Sequence, residues 1–180
     1  MRLFLAINLN DSLKNELMYT ISVIKGNTMK GSFTKRANLH ITLAFIGEVS
    51  QSRLRELIQT MNKVRFHSFS IKLSKLGQFC VRGELLYYRY ISYSSELISL
   101  QQLIATELKK ASFSVDEKEF IPHITLARRC LIKDNLLSDE VIEQLSCKCM
   151  VINEFSLMKS ERLDGKLIYT KLHGVEAALE

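Results

Sequence analysis

One tetrapeptide, His-Ile-Thr-Leu, occurs twice in this chain of 180 residues, at His40–Leu43 and again at His123–Leu126, 83 positions apart. Only four histidines are present, so a shared setting for two of them is not an accident of composition. The interval is close to half the chain and suggests two related lobes. Side chains at i and i+2 of a strand share a face. His40 and Thr42 then point one way, while Ile41 and Leu43 point the other way, into a core. His123 and Thr125 stand in the same relation to Ile124 and Leu126. Each copy offers an imidazole beside a hydroxyl on an apolar backing. If the two strands face one another, four polar groups converge on one small volume.

The rest of the chain supplies strands and helices to hold such strands. Leu3, Leu5 and Ile7 alternate over a first strand, Arg2 to Asn8. Asn10 or Asp11 caps a helix whose stripe is Leu13, Leu17, Ile21 and Ile24, with Gly26 and Asn27 ending it. Leu39 to Phe45 reads as a strand closed by Gly47. Ser50 or Ser52 opens a second helix, with Leu54, Leu57, Ile58 and Met61 on one face. Phe69, Ile71 and Leu73 mark a half-buried strand, and Leu85 to Ile91 another after the turn Arg82-Gly83. Leu97, Leu100, Ile104 and Leu108 form the stripe of a third helix. Ile121 to Ala127 is a strand entered through Pro122, the one proline. A short helix is expected over Asp139 to Leu145, then closing strands over Val151 to Met158 and Leu167 to Leu172, joined at the turn Asp164-Gly165. No Pro-, Gly- or Ser-rich linker divides the sequence, so residues 1–180 are read as a single two-lobed α+β domain.

Charge narrows the partners. Formal net charge is +6, a surplus that attracts polyanions without identifying them. Basic residues are scattered, with local pairs at Lys35-Arg36 and Arg128-Arg129. Cys80, Cys130, Cys147 and Cys149 form no C-x-x-C pair and read as reduced structural thiols rather than a zinc site. No apolar run approaches the roughly 20 residues of a spanning helix. The short N-terminal apolar stretch lacks a cleavage site and reads as a strand, not a signal peptide. The expected location is the cytoplasm, with no membrane partner, and the expected state is a monomer.

Paired imidazoles suit the opening of a cyclic phosphodiester. That reaction needs an activated water on one side of phosphorus and a proton for the departing sugar oxygen on the other. An unperturbed histidine titrates near neutrality, so one ring can be base and the other acid. Threonine hydroxyls can hold the charged non-bridging oxygens. No step calls for a metal or a nucleotide cofactor. His67 and His173 lack the threonine partner and read as surface or packing residues.

The stretches Leu39-His40-Ile41-Thr42-Leu43-Ala44-Phe45-Ile46-Gly47 and Phe120-Ile121-Pro122-His123-Ile124-Thr125-Leu126-Ala127-Arg128 resemble the motifs of the two-histidine phosphoesterases. Within them the nearest likeness is to the RNA 2',3'-cyclic phosphodiesterases, the 2'-5' RNA ligase-like family. The resemblance extends from Arg2–Ile7 to Met158–Tyr169. It implies a bilobal α+β fold, with two pseudo-symmetric antiparallel sheets lining a central cleft and helices outside. It implies hydrolysis of RNA 2',3'-cyclic ends, or of small cyclic nucleotides, to 2'-phosphates. His40 would be the proton donor and His123 the proton acceptor. Thr42 and Thr125 would hold the phosphate, and Arg128 would bind a phosphate oxygen. In an unbroken strand Arg128 falls on the face opposite His123, so a bulge or strand end must redirect it. Phe45 and Phe33 are candidates for stacking on a base at the rim, with core packing the stronger expectation for both. The family often carries Trp at the position of Phe33 and near Leu86 or Tyr87; this chain has no Trp.

Three other readings stay open. The reverse reaction would join a cyclic end to a 5'-hydroxyl, giving 2'-5' ligation at the same site. A non-catalytic RNA- or nucleotide-binding module would also use the basic balance, although Arg or Lys would serve it better than histidine. A metallohydrolase is disfavoured because no carboxylate or third histidine has ligand spacing.

Overall fold

Two antiparallel sheets make up the frame. The computed structural model describes residues 1–81, 84–115, 118–132 and 148–178. The strands are β1 (Arg2–Asn8), β2 (Thr28–Phe33), β3 (His40–Glu48), β4 (Phe69–Val81), β5 (Glu84–Ile91), β6 (His123–Ile132), β7 (Cys149–Ile152), β8 (Glu154–Leu163) and β9 (Lys166–Glu176). The helices are α1 (Asp11–Gly26), α2 (Leu54–Met61) and α3 (Ser95–Lys110). One sheet has the order β3-β1-β8-β9 and the other β2-β6-β5-β4-β7. The two motif strands thus lie in different sheets. Each is hydrogen-bonded to the strand that leads into its helix, β3 to β1 and β6 to β5. The segments β1-α1-β2-β3 and β5-α3-β6 share this plan apart from β2, which joins the other sheet.

The helices exchange sides. α1 follows β1 of the four-stranded sheet yet packs on β2 and β6 of the other. Thr20 of α1 accepts from the buried Arg89 guanidinium of β5 at 3.3 Å. α3 follows β5 but lies against β3, where Gln101 Nε2 donates to the Leu43 carbonyl at 3.5 Å. Each lobe thus holds part of the other, and the main core runs continuously from Leu13 and Leu17 to Ile104 and Leu108. Burying a large aliphatic side chain stabilises by roughly 1.5–3 kcal/mol, so separating the lobes would expose both helix stripes.

Local rules account for most boundaries. Asn10 Oδ1 accepts from Leu13 N at 2.9 Å and Ser94 Oγ from Leu97 N at 3.2 Å, capping α1 and α3. The Asp164-Gly165 turn has φ of 48° and 72°, the left-handed pair of a two-residue hairpin. Other expectations are corrected. Gly47, with φ of 82°, does not close β3; it sits beside a register shift, and the strand continues to Glu48. The stretch expected as one strand over Val151 to Met158 is two, β7 and β8, in different sheets, parted at Asn153. β2 has no apolar alternation to announce it and exists by pairing with β6. α2 is preceded by a 3-10 turn at Gln51–Arg53 rather than opened by a serine cap. The helix expected at Asp139 to Leu145, the Arg82-Gly83 turn and Cys147 lie outside the described residues. Among the described residues no helix is long and apolar enough to cross a membrane.

Candidate active site

The cleft between the sheets has a volume of about 470 Å3, and both motifs open into it: His40 and Thr42 from β3, His123 and Thr125 from β6. The backing residues behave as alternation requires, with Ile41, Leu43, Ile124 and Leu126 all buried.

Each imidazole is fixed in the same way. His40 Nδ1 lies 2.7 Å from the carbonyl oxygen of Asn38, and His123 Nδ1 lies 2.8 Å from that of Ile121. A carbonyl only accepts, so Nδ1 carries the hydrogen on both rings. In the neutral ring Nε2 is then the nitrogen able to accept a proton. At His40, Nε2 meets Thr42 Oγ1 at 3.0 Å. Aromatic rings pack on both histidines: Phe4 and Tyr169 at 5.0 and 5.2 Å from His40, Tyr88 and Phe79 at 5.3 and 6.1 Å from His123. Phe4, Ala6, Met158 and Tyr169 form a second small apolar cluster on the cleft side of the four-stranded sheet. Burial holds the His40 imidazole below the ordinary histidine value. Its bond to the Asn38 carbonyl works against this, while the charges of Arg128 and His123 add to the lowering. Burial also raises the Tyr169 phenol, so it stays protonated at neutral pH.

A bulge follows each motif, and it decides what stands next to the threonine. Along β1–β3, Leu5 faces Ala44 but Ala6 faces Thr42, so one step on β1 matches two on β3. Along β5–β6, Tyr87 faces Ala127 but Tyr88 faces Thr125, the same slip at the same place. An extra residue reverses the alternation beyond it. The burial sequence is accordingly identical in the two copies: half-buried, buried, half-buried, buried, buried, exposed. The sixth residue is Phe45 in one copy and Arg128 in the other, and both line the cleft. Arg128 is therefore redirected toward Thr125, with Nη2 3.4 Å from Thr125 Oγ1. Of the two ways to redirect Arg128 from the face opposite His123, a bulge or a strand end, the strand uses a bulge, and Ala127 is buried behind it. The core-packing expectation for Phe45 fails for the same reason: its side chain is 53% exposed. Phe33 does both things, packing on the core and lining the cleft. The echo in fact runs five residues, His-Ile-Thr-Leu-Ala, and this is the signal that positions 45 and 128 are equivalent.

Tyr169, Lys35, Arg129, Arg162 and Lys166 also line the cleft, and among the described residues no Asp or Glu does. Arg162, Lys166 and Tyr169 come from the β8–β9 hairpin, far from either motif in sequence. His67 and His173 stay outside the cleft, and His173 Nε2 lies 2.8 Å from Asn62 Oδ1. Among the described residues no three His, Cys, Asp or Glu side chains gather as a metal-binding group. Cys80 and Cys149 are exposed and Cys130 is buried, all as free thiols.

Solved structures share this architecture. Escherichia coli LigT complexed with 3'-AMP superposes with a TM-score of 0.82 at 24% identity, over 99% of this chain and 98% of that one. Thermus thermophilus TT0787 gives 0.84 at 22% identity, over 98% and 97%. The fold is thus that of LigT, an α+β arrangement of two antiparallel sheets with helices packed on them. In sequence, an Archaeoglobus fulgidus protein named RNA 2',3'-cyclic phosphodiesterase is 30% identical over 180 residues, covering 98% of this chain and all of its own length. A Thermotoga maritima protein of the same name is 30% identical over 131 residues, covering 71% and 70%. The profile of the 2'-5' RNA ligase superfamily matches residues 19–164, and this chain belongs to that superfamily.

Proposed function

We propose that the whole chain acts as one two-lobed domain that hydrolyses RNA 2',3'-cyclic phosphate ends to 2'-phosphomonoesters by general acid–base catalysis. The observation that carries this reading is the paired Nδ1–carbonyl bond, which leaves both Nε2 atoms to one cationic cleft. Water attacks phosphorus as His123 Nε2 accepts its proton, and the P–O3' bond breaks as His40 Nε2–H protonates O3'. The products are a 2'-phosphate and a free 3'-hydroxyl, and solvent exchange restores the two protonation states. Thr42, Thr125 and the Arg128 guanidinium hold the non-bridging oxygens. Phe45 offers a face on which a base can rest. The low proton affinity of His40 makes its imidazolium a stronger acid, and an anionic phosphate beside it favours the protonated form. The names of the relatives, and the 3'-AMP held by E. coli LigT, support the substrate class.

The test is incubation of the chelator-treated protein with a 2',3'-cyclic nucleotide, with the phosphate position in the product assigned. Formation of the 2'-phosphate is expected. A 3'-phosphate would sink the assignment of O3' as leaving group. Absence of turnover with affinity unchanged in His40→Ala and His123→Ala would mark a binding module instead. Adding an RNA with a 5'-hydroxyl tests the reverse, ligating direction, which microscopic reversibility places at the same groups.

A further inference from the structure

The cleft carries more positive charge than one phosphate needs. Besides Arg128, it is lined by Lys35 just beyond β2, Arg129 of β6, and Arg162 and Lys166 at the tip of the β8–β9 hairpin. Several cations outside the cleft are matched by carboxylates, among them Arg36 with Asp11 at 2.8 Å, Arg53 with Glu56 at 2.9 Å and Lys171 with Glu154 at 2.6 Å. The hairpin itself shows the contrast. Lys159 pairs with Glu161 at 2.7 Å. Arg162 donates to the Gly165 carbonyl at 3.3 Å and has no ion-pair partner among the described residues. Among the described residues neither Lys35 nor Lys166 has an ion-pair partner. Like charges gathered without counter-charges focus a positive potential that an anion relieves.

This rim is also held in place. Asn38 Nδ2 donates to the Leu167 carbonyl at 3.0 Å, tying the hairpin to the turn after Lys35. Arg36 anchors the same turn to α1 through Asp11 and Asn15, at 2.8 and 3.1 Å. The cations therefore stand on a fixed frame, and less ordering entropy is lost when they bind. Phe33, Phe45 and Leu167 line the same cleft and offer apolar surface to a base or ribose.

We infer that Lys35, Arg162 and Lys166 form a second phosphate subsite, which takes the phosphodiester upstream of the cyclic end of a single-stranded RNA. A cyclic phosphate closes the 3' terminus, so any further phosphate of the substrate must lie on the 5' side. This rests on the hydrolytic reading above and makes an oligonucleotide end, rather than a mononucleotide, the preferred substrate.

The experiment compares a 2'-phosphorylated tetranucleotide with a 2'-phosphorylated mononucleoside in binding, and the corresponding cyclic forms in turnover. The tetranucleotide should bind about tenfold more tightly at low salt. Raising salt from about 50 to 200 mM should erode that advantage roughly threefold per phosphate contact. Lys35→Gln, Arg162→Gln and Lys166→Gln combined should bring the length ratio close to one. Lys159→Gln, which alters the ion-paired position of the same hairpin, should leave the ratio as it is. A wild-type ratio near one, or a ratio untouched by the triple substitution, overturns the subsite. A length ratio in binding that persists without turnover of the cyclic mononucleotide keeps the subsite and overturns the hydrolytic reading.

Discussion

The two copies of the motif share a backbone and differ in everything the backbone does not fix. Both histidines give Nδ1–H to the carbonyl two residues before them, and both strands slip register after the threonine. The residue two before the histidine is Asn38 in one copy, tied to the β9 backbone, and the exposed Ile121 in the other. The residue after the bulge is Phe45 in one copy and Arg128 in the other. His40 is bonded to its threonine, whereas Thr125 faces Arg128. Repetition thus sets where the two imidazoles stand, and burial holds that of His40 below the ordinary histidine value.

Removing either imidazole tests the pair most severely. His40→Ala and His123→Ala should each lower kcat by roughly 10²- to 10⁴-fold, the span for a positioned proton transfer. Thermal unfolding should move little, because neither ring is fully buried. If one variant kept near wild-type turnover, the two copies would not act as acid and base.

Next comes the cation that only one copy of the motif carries. Arg128→Gln should reduce kcat/KM by about 2 kcal/mol, or roughly thirtyfold, for the loss of a charged hydrogen bond. It should also raise the His40 pKa, since the Arg128 charge helps to lower it. NMR titration of the His40 ring reads this directly; an unchanged midpoint would mean that Arg128 does not act on the opposite lobe.

A smaller effect separates the threonines. Thr42→Ala and Thr125→Ala should each cost about tenfold or less, with only Thr42→Ala changing the His40 titration. The pH profile of kcat/KM should be bell-shaped, with its optimum on the acid side of neutrality because His40 binds its proton weakly. The optimum of kcat should move upward once an anionic phosphate lies beside that ring. A monotonic profile would contradict the paired assignment.

The smallest expected effect is on stability. The folded-state pKa of His40 is lowered, so the unfolded chain takes up the proton first as pH falls. Stability is complete above the ordinary histidine value of about 6.5. It is lost as pH falls from there toward the folded value. His40→Gln should flatten denaturation midpoints over that window. An unchanged slope in that variant would mean that His40 is not held below its ordinary value in solution.

What the sequence determined by itself is whatever local periodicity can encode. The stripes of α1 and α3 came from spacing alone, since a helix repeats every 3.6 residues wherever it packs. So did the inward Ile41, Leu43, Ile124 and Leu126, and the Asp164-Gly165 turn. Two histidines marked by one tetrapeptide were enough to point to the cleft. Tertiary structure alone decided the rest. A bulge exists only relative to a partner strand, so the aim of Phe45 and Arg128 could not be read from alternation. β2 is an edge strand stabilised by β6, and its own residues carry no pattern. The exchange of α1 and α3 between sheets depends on which apolar face is left uncovered once both sheets have formed. The basic hairpin tip reaches the histidines only through the β3-β1-β8-β9 order, a pairing between residues more than a hundred positions apart.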